Sequence, residues 1–143
     1  MKKLLSLLLA LAVAFAIPAG PGLYVADAAT DGIAISTADD LKAMERNPSG
    51  SYYLANDIEV PANLTLFTDE DRPFTGTLDG DGHKIKGYTY TSNEEWSDDV
   101  ALFTYTKKAT FKDLTMTNVN ISVNNATGAA ALVATMDGGT FSN

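Results

Sequence analysis

The chain has 143 residues, no cysteine and a formal net charge of −8 at pH 7. An acidic surface of that kind excludes nucleic acid and anionic membranes as natural partners, because both carry the same sign of charge. Without disulfides, an exported domain of this length is held by packing, by metal or by the stacking of repeats.

The first residues read as an address. Lys2 and Lys3 form a basic start, Leu4 to Ile17 is an unbroken apolar run with one Ser, and Pro18 and Gly20 break it. A membrane-spanning helix needs about 20 apolar residues, so the run is short for a span. Ala26-Asp27-Ala28 then offers small residues before a cleavage point. Together these predict a secretory signal peptide over residues 1–28, with an uncleaved anchor as the competing reading. No cysteine follows the run, so the signal is not of the lipoprotein type. Avoidance of cysteine in an exported protein points to a bacterium and to a secreted or cell-surface location, with no membrane contact once the signal is cleaved.

Residues 29–58 predict a strand–helix–strand cap. Ile33 to Ser36 alternates as a strand does. Thr37 followed by Asp40 has the spacing of a capping box, and Leu41 and Met44 share one helical face, so a short helix over about Ala38 to Arg46 is expected. Asn47-Pro48-Ser49-Gly50 ends it with turn chemistry. Ser51 to Ala55 returns to strand with Tyr52 and Leu54 on one side and Tyr53 on the other.

Residues 59–143 hold no second helical pattern but do hold an internal repeat. Ala101, Leu102, Thr110 and Phe111 recur as Ala131, Leu132, Thr140 and Phe141, an offset of 30. A weaker copy, Ile85 to Tyr90, aligns with Phe111 to Met116 at an offset of 26. Periods in this range signal a solenoid. Each copy places an inward apolar residue, one outward residue, and then Gly87, Asp113 or Asn143. Gly, Asp and Asn tolerate left-handed backbone angles, and one such residue between two short strands turns a corner. The fold class expected is therefore all-β: a right-handed parallel β-helix, handed by the crossover rule, with a short N-terminal capping helix and corners at Gly87, Asp113 and Asn143. Residues 68–73 and 91–99 are expected to loop out from the stack. The third copy stops inside its corner at Asn143, which predicts a fragment whose C-terminal edge is capped by more of the same chain or by a partner; a complete small protein that pairs with itself is the alternative.

Two passages resemble known sequence. Phe74 to Gly87, with the preceding Thr37 to Asp57, is similar to the way many bacterial surface β-helices begin after their signal peptide. Gly128 to Asn143 resembles the GLUG motif, with Ala129, Ala130 and Ala134 where that motif usually carries Gly. The motif is known from bacterial surface and adhesin-like proteins and from N-terminal regions of immunoglobulin-cleaving metalloproteases. The resemblance implies a coil and an extracellular setting, and it implies no chemistry.

Each candidate for chemistry has a plainer counterpart. Asp79-Gly80-Asp81-Gly82 offers Asp79 and Asp81 as oxygen ligands for calcium, but calcium takes about six to eight, and the position an EF-hand reserves for its Glu falls on Tyr90; a tight turn accounts for all four residues. His83 is the only histidine and has no nucleophile elbow to serve. The acid pairs Asp39/Asp40, Asp69/Asp71, Glu94/Glu95 and Asp98/Asp99 fall in polar stretches, where charge is the solvated default, and glycosidase chemistry needs two acids facing each other across a cleft. Trp96, in an acidic stretch, is the residue expected to bind, by stacking on a sugar ring, unless it folds back onto the core. Asn63, Asn120 and Asn125 match the glycosylation pattern and read as incidental. No cofactor and no catalytic residue is expected. The function expected is that of an adhesin-like surface module with an extracellular glycan or protein ligand. The alternatives are the first coils of a polysaccharide lyase or hydrolase, and the non-catalytic front of a large surface metalloprotease.

Overall fold

The computed structural model describes residues 31–143. The basic start, apolar run and small-residue exit of the export signal lie outside the described residues.

Strand β1 (Ile33–Ile35) leads into helix α1 (Ala38–Ala43), which a 3-10 turn prolongs over Met44–Arg46. The predicted capping box forms. Thr37 is extended, its hydroxyl accepts the Asp40 N–H at 3.1 Å, and the Asp40 carboxylate accepts the N–H groups of Ser36 and Thr37 at 3.0 and 2.9 Å. Those donors, Ser36 first and then the Thr37 hydroxyl, hold the Asp40 carboxyl below its usual pKa. Leu41 and Met44 are fully buried and join Ile35 and Leu54 in one apolar cluster, so the helix closes over the first coil.

Nine strands follow: β2 (Ser51–Leu54), β3 (Ile58–Glu59), β4 (Thr77–Asp79), β5 (Lys84–Lys86), β6 (Thr89–Ser92), β7 (Phe103–Lys112), β8 (Thr115–Thr117), β9 (Asn120–Val123) and β10 (Val133–Ser142). Every pairing between them is parallel. They form sheets in the orders β1-β2-β4-β7-β10, β3-β5-β8 and β6-β9. From β4 onward the chain visits the three sheets in rotation and returns to the first beside its own earlier strand. The architecture is thus a parallel β-helix of about three turns with one short helix at its start.

The corners explain why the chain turns. Lys108, Asp113 and Asn118 have φ of 52°, 48° and 55°, and Gly87 has 73°. An L-residue crossing into this region costs free energy, and Gly, Asn and Asp cross at least cost. The register corrects one expectation. Phe111 is paired with Leu78 and with Phe141, whereas Ile85 is paired with Met116. Gly87 lies between β5 and β6, and Asp113 between β7 and β8, so they turn different corners. The offset of 26 joined two corners because each obeys the same local rule: an apolar residue in, a polar residue out, then a left-handed residue. Asn143 follows Ser142, the register partner of Lys112, and so stands one coil along from Asp113. The counterpart of Asp113 in the preceding coil is Gly80, where a Cβ would collide with the Asp113 carbonyl oxygen.

The core is a column of rings. Phe67 lies nearly parallel to Phe103 at 5.7 Å, Phe103 meets Phe111 edge-on at 5.3 Å, and Phe111 stacks on Phe141 at 5.2 Å. Phe74 packs against Phe67, Phe103 and Phe111. Pairs of this kind are worth about 0.5–1.5 kcal/mol beyond their burial. The two expected excursions part company. Leu66 pairs with Phe103 and Phe74 with Thr106, so residues 68–73 bulge out beside Thr104 and Tyr105, rooted at buried Phe67, whose N–H donates to Glu45 Oε1 at 2.8 Å. Residues 91–99, in contrast, stay in the stack. Ser97 pairs with Ala126 and Val100 with Ala129, so this stretch is a further wall of the coil.

The two ends differ. Beyond β10 no strand follows among the described residues, and Phe141 there is 55 % exposed. A cavity of about 210 Å³ opens between Phe111, Leu114, Leu132 and Phe141.

Candidate functional site

The most distinctive surface lies where the wall 93–99 meets the start of β7. Its backbone is fixed by the next coil. The side-chain amides of Asn124 and Asn125 donate to the carbonyls of Asn93 and Glu95 at 3.4 and 2.8 Å, and the Ser97 N–H donates to the Asn125 carbonyl at 2.6 Å. The Ser92 hydroxyl accepts the Glu94 N–H at 3.3 Å, which tightens the bend. A polar, ladder-bonded stretch of this kind has no spare apolar cover, and Trp96 is left 80 % exposed.

Trp96 forms one side of a groove of about 290 Å³ shared with Tyr90, Tyr105, Glu94, Asp98 and Asp99. Among the described residues, Glu94 and Asp98 make no ion pair, and no Lys, Arg or His lines the groove. Asp99 is held by the Thr135 hydroxyl, which donates to Oδ2 at 2.5 Å. Burial first, and then the charges of Asp99, Glu70 and Asp98, push the Tyr105 hydroxyl above its ordinary pKa, as a negative potential does. Thr104 also lines the groove; it is buried, and its hydroxyl has no hydrogen-bond partner among the described residues. The sequence singled out Trp96 and the acids beside it. It missed Tyr105 and Thr104, which come from the next wall of the coil; only the register of β7 against Leu66 brings them there.

Asp79 is nearly buried, and its carboxylate is occupied. Oδ1 accepts the Asp81 N–H at 3.0 Å and Oδ2 takes the Lys112 ammonium at 2.6 Å. Burial pushes its pKa up, but the Lys112 and Asp81 hydrogen bonds outweigh it, so the net direction is down. Asp81 and Gly82 have φ of 47° and 78°, and the His83 N–H donates to the Gly80 carbonyl at 2.8 Å, closing a tight turn. Asp79 thus organises its own turn and ties β4 to β7. Among the described residues, no group of three or more His, Asp or Glu is placed to hold a metal. His83 faces Asp57, Nδ1 to Oδ1 at 3.7 Å, and Asp57 also takes Lys86 at 3.2 Å and the Lys84 N–H at 3.0 Å. Lys86 first, then the Lys84 N–H, lowers the Asp57 pKa.

Two of the sequon asparagines have structural work. Asn63 Oδ1 accepts the Thr91 N–H at 2.8 Å, and its amide donates to the Thr91 carbonyl at 3.4 Å, so one side chain stands in for a strand beside β6. Asn125 holds Glu95, as above.

Comparison with known proteins sets this geometry in context. No solved structure matches the chain. A halomucin of Haloquadratum walsbyi (strain DSM 16790 / HBSQ001) is 30% identical over 126 residues, which is 76% of this chain and 1% of the halomucin. The chain therefore spans a very small part of that relative's length. The family model for the N-terminal region of the M26 IgA1-specific metallo-endopeptidases matches residues 24–143, which takes in all of the described residues. The matched model is that of an N-terminal region and not of a catalytic domain. On this match, the chain belongs to the family of M26 IgA1-specific metallo-endopeptidase N-terminal regions.

Proposed function

We propose that this chain is an exported, non-catalytic β-helix module of a bacterial surface or secreted protein, with a binding or structural role. Its GLUG-like coil and its signal peptide belong to the same reading. The observation that carries it is an export-like start, Lys2-Lys3 and then the apolar run Leu4 to Ile17, placed ahead of a parallel β-helix. The similarity to a halomucin supports the surface setting. The family match supports a second reading, in which the module stands ahead of the catalytic part of a surface metalloprotease.

The test is surface labelling of intact cells with a membrane-impermeant amine reagent. Lys107 and Lys108 are exposed on the described surface and take the label. Labelling before lysis is the expected outcome; labelling only after lysis overturns the reading.

A further inference from the structure

We infer that the groove beside Trp96 binds a cationic side chain, an arginine above all, presented by a partner polypeptide. This gives the proposed binding role a chemical address, and it rests on that role only for its biological setting. Three observations converge. First, the groove carries Glu94, Asp98 and Asp99 and, among the described residues, no base, so its negative charge is uncompensated there. Second, it offers aromatic faces: Trp96 stands 80 % exposed, with half-buried Tyr90 and Tyr105 beside it. Third, Thr104 lines it, with a buried hydroxyl that has no hydrogen-bond partner among the described residues. A buried polar group left unpaired is uncommon, and an entering donor would satisfy it.

The charge decides between ligand classes. A neutral sugar could stack on Trp96, but it would strip water from carboxylates and return no charge. An acidic glycan would be repelled. A guanidinium answers each feature: its plane lies on an indole face, its forked N–H groups match a carboxylate, and its spare donors reach a hydroxyl. The wall that carries Trp96 is pinned by Asn124 and Asn125, so little ordering is left for the ligand to impose.

Trp96 is the only tryptophan, so fluorescence excited selectively at tryptophan reports on this groove. The experiment titrates the purified full chain in low salt with acetyl-Gly-Arg-Gly-Arg-Gly-amide, with the same peptide carrying Ser for Arg, and with chitohexaose. The expected result is a saturable change with the Arg peptide alone. It weakens about tenfold in the double variant E94Q/D98N, the upper size of two exposed ion pairs. It disappears in 1 M salt, where the screening length falls to about 3 Å. D39N, on α1, leaves it unchanged, and far-UV circular dichroism confirms that each variant folds. No saturable change, an Arg response indifferent to E94Q/D98N, or a chitohexaose response that survives those substitutions overturns the inference. The measurement uses purified chain, so it fails or succeeds independently of where the cell places the module.

Discussion

Replacing Tyr88 with Phe should stabilise the protein. Tyr88 follows the left-handed Gly87, which swings it into the core, where it has no exposed surface and, among the described residues, its hydroxyl has no partner. Burial, and then Tyr90, pushes its pKa up to about 12. A buried hydroxyl without a partner costs about 1–3 kcal/mol, while the ring keeps its packing in the variant. Allowing for the lost contacts of one oxygen atom, a net gain of about 1 kcal/mol is expected. For a domain of this size that raises Tm by about 4 °C. Urea unfolding should show a higher midpoint at unchanged slope. The pH dependence supplies a second reading of the same group. The unfolded chain ionises Tyr near pH 10, roughly its ordinary value, and the folded chain only near 12. Deprotonation therefore favours the unfolded chain, and wild-type stability falls as pH climbs from 10 towards 12; Y88F lacks this part of the fall. A Phe variant less stable than wild type by more than about 0.5 kcal/mol would refute the reasoning, because the hydroxyl would then have to be satisfied.

Three further outcomes are expected. Phe111→Ala, at a ring 1 % exposed in the middle of the aromatic column, should cost about 3–5 kcal/mol by urea denaturation. Thr37→Ala removes the hydroxyl that caps α1 and should cost about 1 kcal/mol, with helix loss visible by circular dichroism. Asp79 has a folded pKa below its unfolded value of about 3.9, so its contribution is full above that value and is lost as pH falls through the folded pKa. Asp79→Asn should flatten the acid limb of the stability curve, measured by urea midpoints between pH 6 and pH 2.5.

Local rules were the legible part of this sequence. Thr37 and Asp40 announced α1 because a capping box is written within four neighbouring positions. Tyr52 and Leu54 announced the inner face of β2 by simple alternation, and both are buried. The 30-residue offset named true neighbours, Phe111 and Phe141, because those coils have equal length. The earlier coil was harder. Gly80 to His83 lengthens one corner, and residues 67–73 lengthen a wall, so identical corner grammar aligned the wrong pair. Trp96 was legible as a residue type but not as an exposed one. Its exposure depends on amides from Asn124 and Asn125, one coil away in sequence. The rest of the groove, Tyr105 and Thr104 above all, exists only through register.

The parallel stacking of the coils has a mechanical consequence. The hydrogen bonds between coils run along the axis, so tension along it loads them a few at a time. With 30 residues between the register partners of β7 and β10, each turn released adds about 100 Å of slack at the reach of an extended chain. A tether built this way yields in measured lengths under load.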